Sequence, residues 1–435
     1  MQSRNNKTII AICSVVFGLI AGAIIMLFFG YNPFSGYGSL ISTAFGTPQN
    51  IGEIFSQMTP LILTGLSFLI AQQAGFFNIG MSGQLFGAWV GSVWFALTFP
   101  HLPDFLIIIG ATTFGVVIGA ISGFIPGYLR ARFGASEVII TIMMNYVILY
   151  LGNDAITAVF PNSIKQTVDS SNQVGNHGGI GLKWLSDLTN QSSISAGIFI
   201  ALITTLLIWF VMKKTTLGFS IDAVGKNADA AKYAGINEKA TQIWAMTLSG
   251  ALSGLGGVTE GLGHYGNVFV QNSTPETGFN GMAVALLGSG SFIGVILAAA
   301  LFSALTVGGA GMPNISGVPT ELVAIVIALI IFFVGTGYLI DLMIEKIKSA
   351  DQASSNKGKG PGAGKQQQKR LAKKNKRSWK HEFSINSRTI NQHYDYLFRS
   401  TCFYSCRRCF LGTWWCCQRW SGRNYDHGCF QLNRF

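Results

Sequence analysis

A chain of 435 residues that is 49% hydrophobic and only 11% charged, with a mean hydropathy of +0.41, lies far from the composition of a soluble domain and reads as an integral membrane protein. The formal net charge of +12 misleads, because residues 346–435 hold 19 of the 30 Lys+Arg and only 4 of the 18 Asp+Glu. The first 345 residues keep 11 basic and 14 acidic groups, so the charge gives no ground for nucleic-acid binding.

Apolar runs long enough to cross a bilayer, about 20 residues each, are expected at 9–29, 54–72, 80–97, 105–128, 138–160, 194–212, 243–261 and 322–340. The first contains Ala21-Gly22-Ala23, which mimics a signal-peptide cleavage site, but its apolar stretch continues to Phe29 as a span requires. The stretch 281–309 is too long and too broken by glycine for one simple helix. A cytoplasmic N-terminus puts Arg4, Lys7, Arg130, Arg132, Lys213, Lys214, Lys226, Lys232 and Lys239 inside and leaves Lys165 and Lys183 outside. Keeping Lys346 and Lys348 inside as well requires 281–309 to cross an even number of times. The expectation is an all-α bundle of eight to ten crossings in the plasma membrane.

Within the spans, Asn78, Gln84 and Asn145 carry amide donors and acceptors where unpaired polar groups cost several kcal/mol. They are candidates for the path of a polar, uncharged solute, the alternative being hydrogen bonds between helices. Between spans, the polar segment 213–239 holds a two-turn helix. Asn227 suits its N-cap, Asp229 and Lys232 suit its two dipole ends, and Gly235 suits a left-handed stop. A helix that short is marginal alone in water, so it is expected to dock on a cytoplasmic partner. Further on, Gly288 and Gly290 lie in the run ALLGSGSFIG, which marks either a broken helix lining the path or close helix packing.

Glu53, Asp154, Glu260, Glu276 and Glu321 all fall near predicted span ends and read as solvated interface residues. Glu260 with His264 is an alternative gate at the outer mouth. Sparse intramembrane charge argues against a carrier driven by protons or ions. No paired catalytic carboxylates, metal-ligand spacing or nucleophile with a base occurs in residues 1–345, and Cys13 sits alone in an apolar run, so no enzymatic activity, metal or cofactor is expected.

Residues 346–378 form a basic tail, with a Gln-, Lys- and Gly-rich composition typical of disorder from 350 onward. The run GKGPGAGK at 358–365 fails the phosphate-loop pattern, since Gln366 stands where Ser or Thr is needed. Six of the seven cysteines crowd into 402–429, but the one Cys-x-x-Cys pair, Cys406 with Cys409, lacks a second at zinc-finger spacing. A different reading fits better, namely that 379–435 is a downstream gene translated out of frame. Dropping one nucleotide from the TGG and TGY codons of Trp414, Trp415, Cys416 and Cys417 forces Gly-Gly and then Val or Ala twice. One permitted continuation resembles residues 74–89 of this same chain, apart from one residue of spacing.

Those residues, AGFFNIGMSGQLFGAW, together with 223–236, AVGKNADAAKYAGI, resemble the membrane permease subunits of bacterial ABC importers for nucleosides and simple sugars, a group that includes branched-chain amino-acid permeases. The motif GFFNIG at 75–80, with Gly83-Gln84 and IMMNY at 142–146, is most similar to the nucleoside branch. The likeness covers roughly 51–340. It implies internally repeated halves, a permease dimer, a cytoplasmic ATPase subunit that hydrolyses the ATP, and an extracellular substrate-binding lipoprotein. It also implies that residues 1–345 are the permease domain and that 213–239 is its coupling loop, with Asn227, Ala230, Ala231, Tyr233 and Gly235 meeting the ATPase. Nucleosides are the implied cargo; simple sugars are the second choice and an ion-coupled secondary transporter the rival class. The shifted reading downstream makes a paralogous permease the expected dimer partner. One departure is Met81-Ser82, where the family usually has an apolar-acidic pair.

Overall fold

In a bilayer every backbone polar group must find its partner within the protein, and a chain this apolar meets that demand with helices. The computed structural model describes residues 2–335, apart from 176, 177 and 191. The chain divides into two units, 1–345 and 346–435. The second unit lies outside the described residues, and with it the basic tail and the out-of-frame segment expected from the sequence.

The elements run α1 (Gln2–Phe28), α2 (Pro33–Gly46), α3 (Pro48–Gln73), α4 (Met81–Thr98), α5 (Asp104–Phe133) and α6 (Glu137–Asp154), which continues into a π-turn at Ala155–Val159. A two-stranded antiparallel ribbon follows, β1 (Lys165–Thr167) and β2 (Ser170–Ser171), with Lys165 opposite Ser171. Then come α7 (Lys183–Leu188), α8 (Gly197–Lys214), α9 (Thr216–Lys226), α10 (Ala228–Tyr233) and α11 (Glu238–Thr259), the last ending in a second π-turn, Glu260–Tyr265. The series closes with α12 (Glu276–Leu287), α13 (Phe292–Ser316) and α14 (Thr320–Gly335). Among the described residues, six helical segments are long and apolar enough to cross a membrane: Ala11–Phe28, Pro48–Gln73, Asp104–Phe133, Glu137–Val159, Gly197–Lys214 and Phe292–Ser316. The chain is a helical membrane bundle. The Gly-broken stretch 281–309 is two helices, α12 and α13, separated by a turn in which Ser289 and Gly290 take positive φ.

Two contacts set the architecture. The helix α3 is buried from Met58 to Ala71 and forms the axis of the larger core with α11, α12 and α13. Beside it, α5 and α11 meet backbone to backbone. Gly115, Gly119, Gly123 and Gly127 recur every fourth residue on α5, and a Cβ on Gly119 would stand 2.5 Å from the Gly250 carbonyl and 2.6 Å from Gly254 Cα. Small residues at this spacing let helix axes approach where lipid gives no hydrophobic drive to association. Since α11 has 22 residues, it extends about 33 Å and separates α10 at one end from the second π-turn at the other.

Candidate functional site: a surface elbow, a buried amide knot and a cavity

The polar segment between α8 and α11 folds as two helices in an elbow. Thr215 caps α9, its Oγ1 accepting from the Gly218 N–H, and Ile221 and Val224 bury the inner face. The sequence reading took these residues as loop and missed α9. Asn227 caps α10, its Oδ1 accepting from the Ala230 N–H at 3.0 Å. Gly235, at φ +84°, ends α10, with the Ile236 N–H donating to Ala231 O and the Gly235 N–H to Lys232 O, each at 3.0 Å. Ala231 is buried beneath the elbow, while Tyr233 is 94% exposed. The elbow abuts the end of α3 closely, since a Cβ on Gly225 would lie 1.9 Å from the Gln73 carbonyl.

From Gln73 the chain turns through Gly75, at φ +80°, into the GFFNIG motif. Here the structure brings Asn78, Gln84 and Asn145 together, all buried. Asn78 Nδ2 donates to Gln84 Oε1 at 3.1 Å and to Ser249 Oγ at 2.9 Å, and its Oδ1 accepts from the Gly80 N–H. Asn145 Nδ2 donates to Ile79 O at 2.9 Å, and its Oδ1 accepts from the Gly83 N–H at 2.8 Å. Ser249 is tied in turn to Ser67 of α3, each hydroxyl donating to the other's carbonyl at 2.7 and 2.9 Å. Four helices are thus laced to the 74–80 turn. Gly288 and Gly290 lie elsewhere. Gly288 is buried, with its would-be Cβ 2.7 Å from Val295 N, and Gly290 sits on the exposed turn after α12.

At the far end of α11 the helix widens into the π-turn, a distortion frequent at functional sites. Glu260, placed by sequence at a solvated interface, is only 6% exposed. It belongs to a cavity of about 370 Å³ lined also by Gln57, Trp89, His264, Tyr265 and Asn280. Thr277 Oγ1 donates to Glu260 Oε1 at 3.1 Å. His264 Nδ1 lies 2.9 Å from Ser56 Oγ and 3.4 Å from Glu53 Oε1. The sequence named Glu260 and His264 but gave no sign of the aromatic wall around them. The π-turn and the strand-like segment after it bring Tyr265 and Phe269 onto Trp89 of α4.

Residues 50–335 match the family model described as the permease component of branched-chain amino acid transport systems. The chain is 45% identical over 365 residues to the nucleoside ABC transporter permease protein NupB of Lactococcus lactis, covering 83% of this chain and all of that protein. It is 40% identical over 353 residues to the guanosine ABC transporter permease protein NupP of Bacillus subtilis, covering 80% and 99%. A second Lactococcus lactis protein, the nucleoside ABC transporter permease NupC, is 27% identical over 287 residues, covering 62% and 86%. No solved structure matches the chain.

Proposed function

The chain belongs to the family of branched-chain amino acid transport system permease components, and from that premise we propose that it is the membrane-spanning subunit of an ATP-driven importer of nucleosides. The observation that carries the cargo is the identity of 45% and 40% to permeases named for nucleosides and guanosine, over four fifths of this chain. The chain itself binds no cofactor and catalyses no reaction; a separate cytoplasmic ATPase hydrolyses ATP, and an extracellular binding protein delivers the solute. Purified alone it should show no ATP hydrolysis.

The elbow is the coupling element in this reading, with Asn227, Ala230, Ala231, Tyr233 and Gly235 forming the part that meets the ATPase. The exposure of Tyr233 and the tight seat of Gly225 on α3 support it, because a push on α10 has a short route to α3 and the amide knot. We assign Asn78, Gln84 and Asn145 to holding that knot, since each is already paired. Gly288 and Gly290 form the turn that lets α12 and α13 run back to back.

Adding α4, α11, α12 and α14 to the six long spans gives ten crossings, with both ends of the permease unit cytoplasmic by the distribution of basic residues. The reciprocal bonds between Ser67 and Ser249 form a local two-fold between antiparallel helices, which supports internally repeated, inverted halves. The dimer partner is a paralogous permease, in keeping with the likeness of this chain to two permeases of one organism. Uptake tests the whole reading. Cells deleted for the gene should lose uptake of tritiated nucleosides at micromolar concentration and keep uptake of ribose. Equal nucleoside uptake with and without the gene overturns it.

A further inference from the structure

The cavity contains one acceptor that none of the described residues satisfies. While Glu260 Oε1 takes the Thr277 hydroxyl, Oε2 is buried and has no hydrogen-bond partner among the described residues. A polar atom left unpaired away from water costs on the order of 1–3 kcal/mol, more when charged, so such a group persists where another molecule supplies the donor. Beside it stands a braced aromatic face. Tyr265 stacks on Trp89 with ring centres 5.0 Å apart and planes 12° from parallel, and Trp89 is fixed by donating from Nε1 to Asn267 O at 2.8 Å. Phe269 meets both rings edge-on. Tyr265 itself is 40% exposed, and the amides of Gln57 and Asn280 line the same space.

We propose that this cavity is a nucleoside-binding station within the permease, in which the base stacks on Tyr265 and a ribose hydroxyl donates to Glu260 Oε2. The assignment rests on the nucleoside reading above and adds the contact residues. A volume of about 370 Å³ falls in the range of small-molecule pockets, roughly 300–1,000 Å³. The hydroxyl is favoured over the base edge by the count of free atoms. A guanine edge donates two N–H groups side by side and would place a second bond on Oε1, which already accepts from Thr277, whereas only Oε2 is wholly unpaired. One hydroxyl needs only one oxygen and is common to every ribonucleoside. Free ribose offers the same hydroxyl but no flat face, so stacking is what separates the two solutes.

Photolabelling of the complete importer in native membranes with tritiated 8-azidoadenosine, followed by peptide mapping of this chain, tests the station directly. The label should fall within 260–280. Adenosine should displace it, 2′,3′-dideoxyadenosine should do so about tenfold less well, as expected for one lost hydrogen bond to a buried group, and ribose should not. Tyr265→Leu should abolish the label, and Glu260→Ala should make adenosine and its dideoxy analogue compete equally, in variants that still co-purify with the ATPase. Label confined to other segments, competition by ribose equal to that by adenosine, or unchanged labelling in both variants overturns the station. The mapping in the unaltered chain decides the matter even where a variant fails to assemble. Cells that take up nucleosides through the importer without labelling at 260–280 refute the station alone, whereas cells that take up none refute the cargo.

Discussion

Asn78 sits at the point where two helices, α4 and α11, and a turn depend on one side chain. Replacing it with Leu leaves Gln84 Oε1, Ser249 Oγ and the Gly80 N–H without their present partner in a dry interior. The expected loss is about 1–3 kcal/mol of stability, read as a lower thermal midpoint of the detergent-solubilised protein. Gln57→Ala, at the cavity, should leave that midpoint close to the unaltered value. Polar residues within apolar runs were legible as exceptional, and Asn78, Gln84 and Asn145 do meet. What they bond was not legible, because the partners are backbone groups at Ile79, Gly80 and Gly83 and a serine 171 residues away. Glu260 failed in the other direction. Its position near a span end suggested solvent, but the widened π-turn and Thr277 of α12 enclose it, and neither is written in the local pattern.

Among the elements, α10 was the most readable, because cap, charges and stop all lie within nine residues of sequence. Its neighbour α9 was not read although Leu217, Ile221 and Val224 repeat at helical spacing, since flanking lysines and threonines give the segment the look of a loop. The two helices act together in the coupling reading. Gly235→Val places a β-branched residue at φ +84°, which that side chain tolerates poorly. Gly225→Val drives a methyl-bearing carbon onto the Gln73 carbonyl. Both variants should reach the membrane yet lower nucleoside uptake at least tenfold, and normal uptake in both, with normal uptake also in Ala230→Asp, removes the elbow from the coupling role. The glycine seam makes a separate prediction. Gly119→Leu cannot be accommodated 2.5 Å from the Gly250 carbonyl, so α5 and α11 must part and little monodisperse protein should survive size-exclusion chromatography. Gly38→Ala, with nothing within 4 Å, should behave as the unaltered protein. The glycine repeat on α5 was not read from the sequence, and its partners at Gly250 and Gly254 lie over 120 residues away and could only come from the fold.

At the scale of the whole molecule, hydropathy located the membrane unit because lipid makes span length and apolarity nearly obligatory. It located α11 less clearly, since that helix carries Ser249, Ser253 and several glycines to the centre of the bundle and so lacks the apolarity of a lipid-facing span. In the ten-crossing reading proposed above, α11, α12, α13 and α14 in succession return the chain to the cytoplasm before the basic tail. That topology and the codon argument for residues 379–435 lead to one prediction about the assembly. If the tail is a shifted reading of a neighbouring permease gene, the functional pore needs this chain through about residue 345 and a second, paralogous permease, but not the cysteine-rich segment. Deleting residues 381–435 should therefore leave nucleoside uptake within about twofold of the full chain, and resequencing across codons 370–435 should reveal an open frame one nucleotide away. Affinity purification of the shortened chain should bring down the ATPase and a second permease in equal amount. Loss of uptake on that deletion, or stop codons throughout the shifted frame, refutes the out-of-frame origin, and isolation of this chain with only copies of itself refutes the heterodimer.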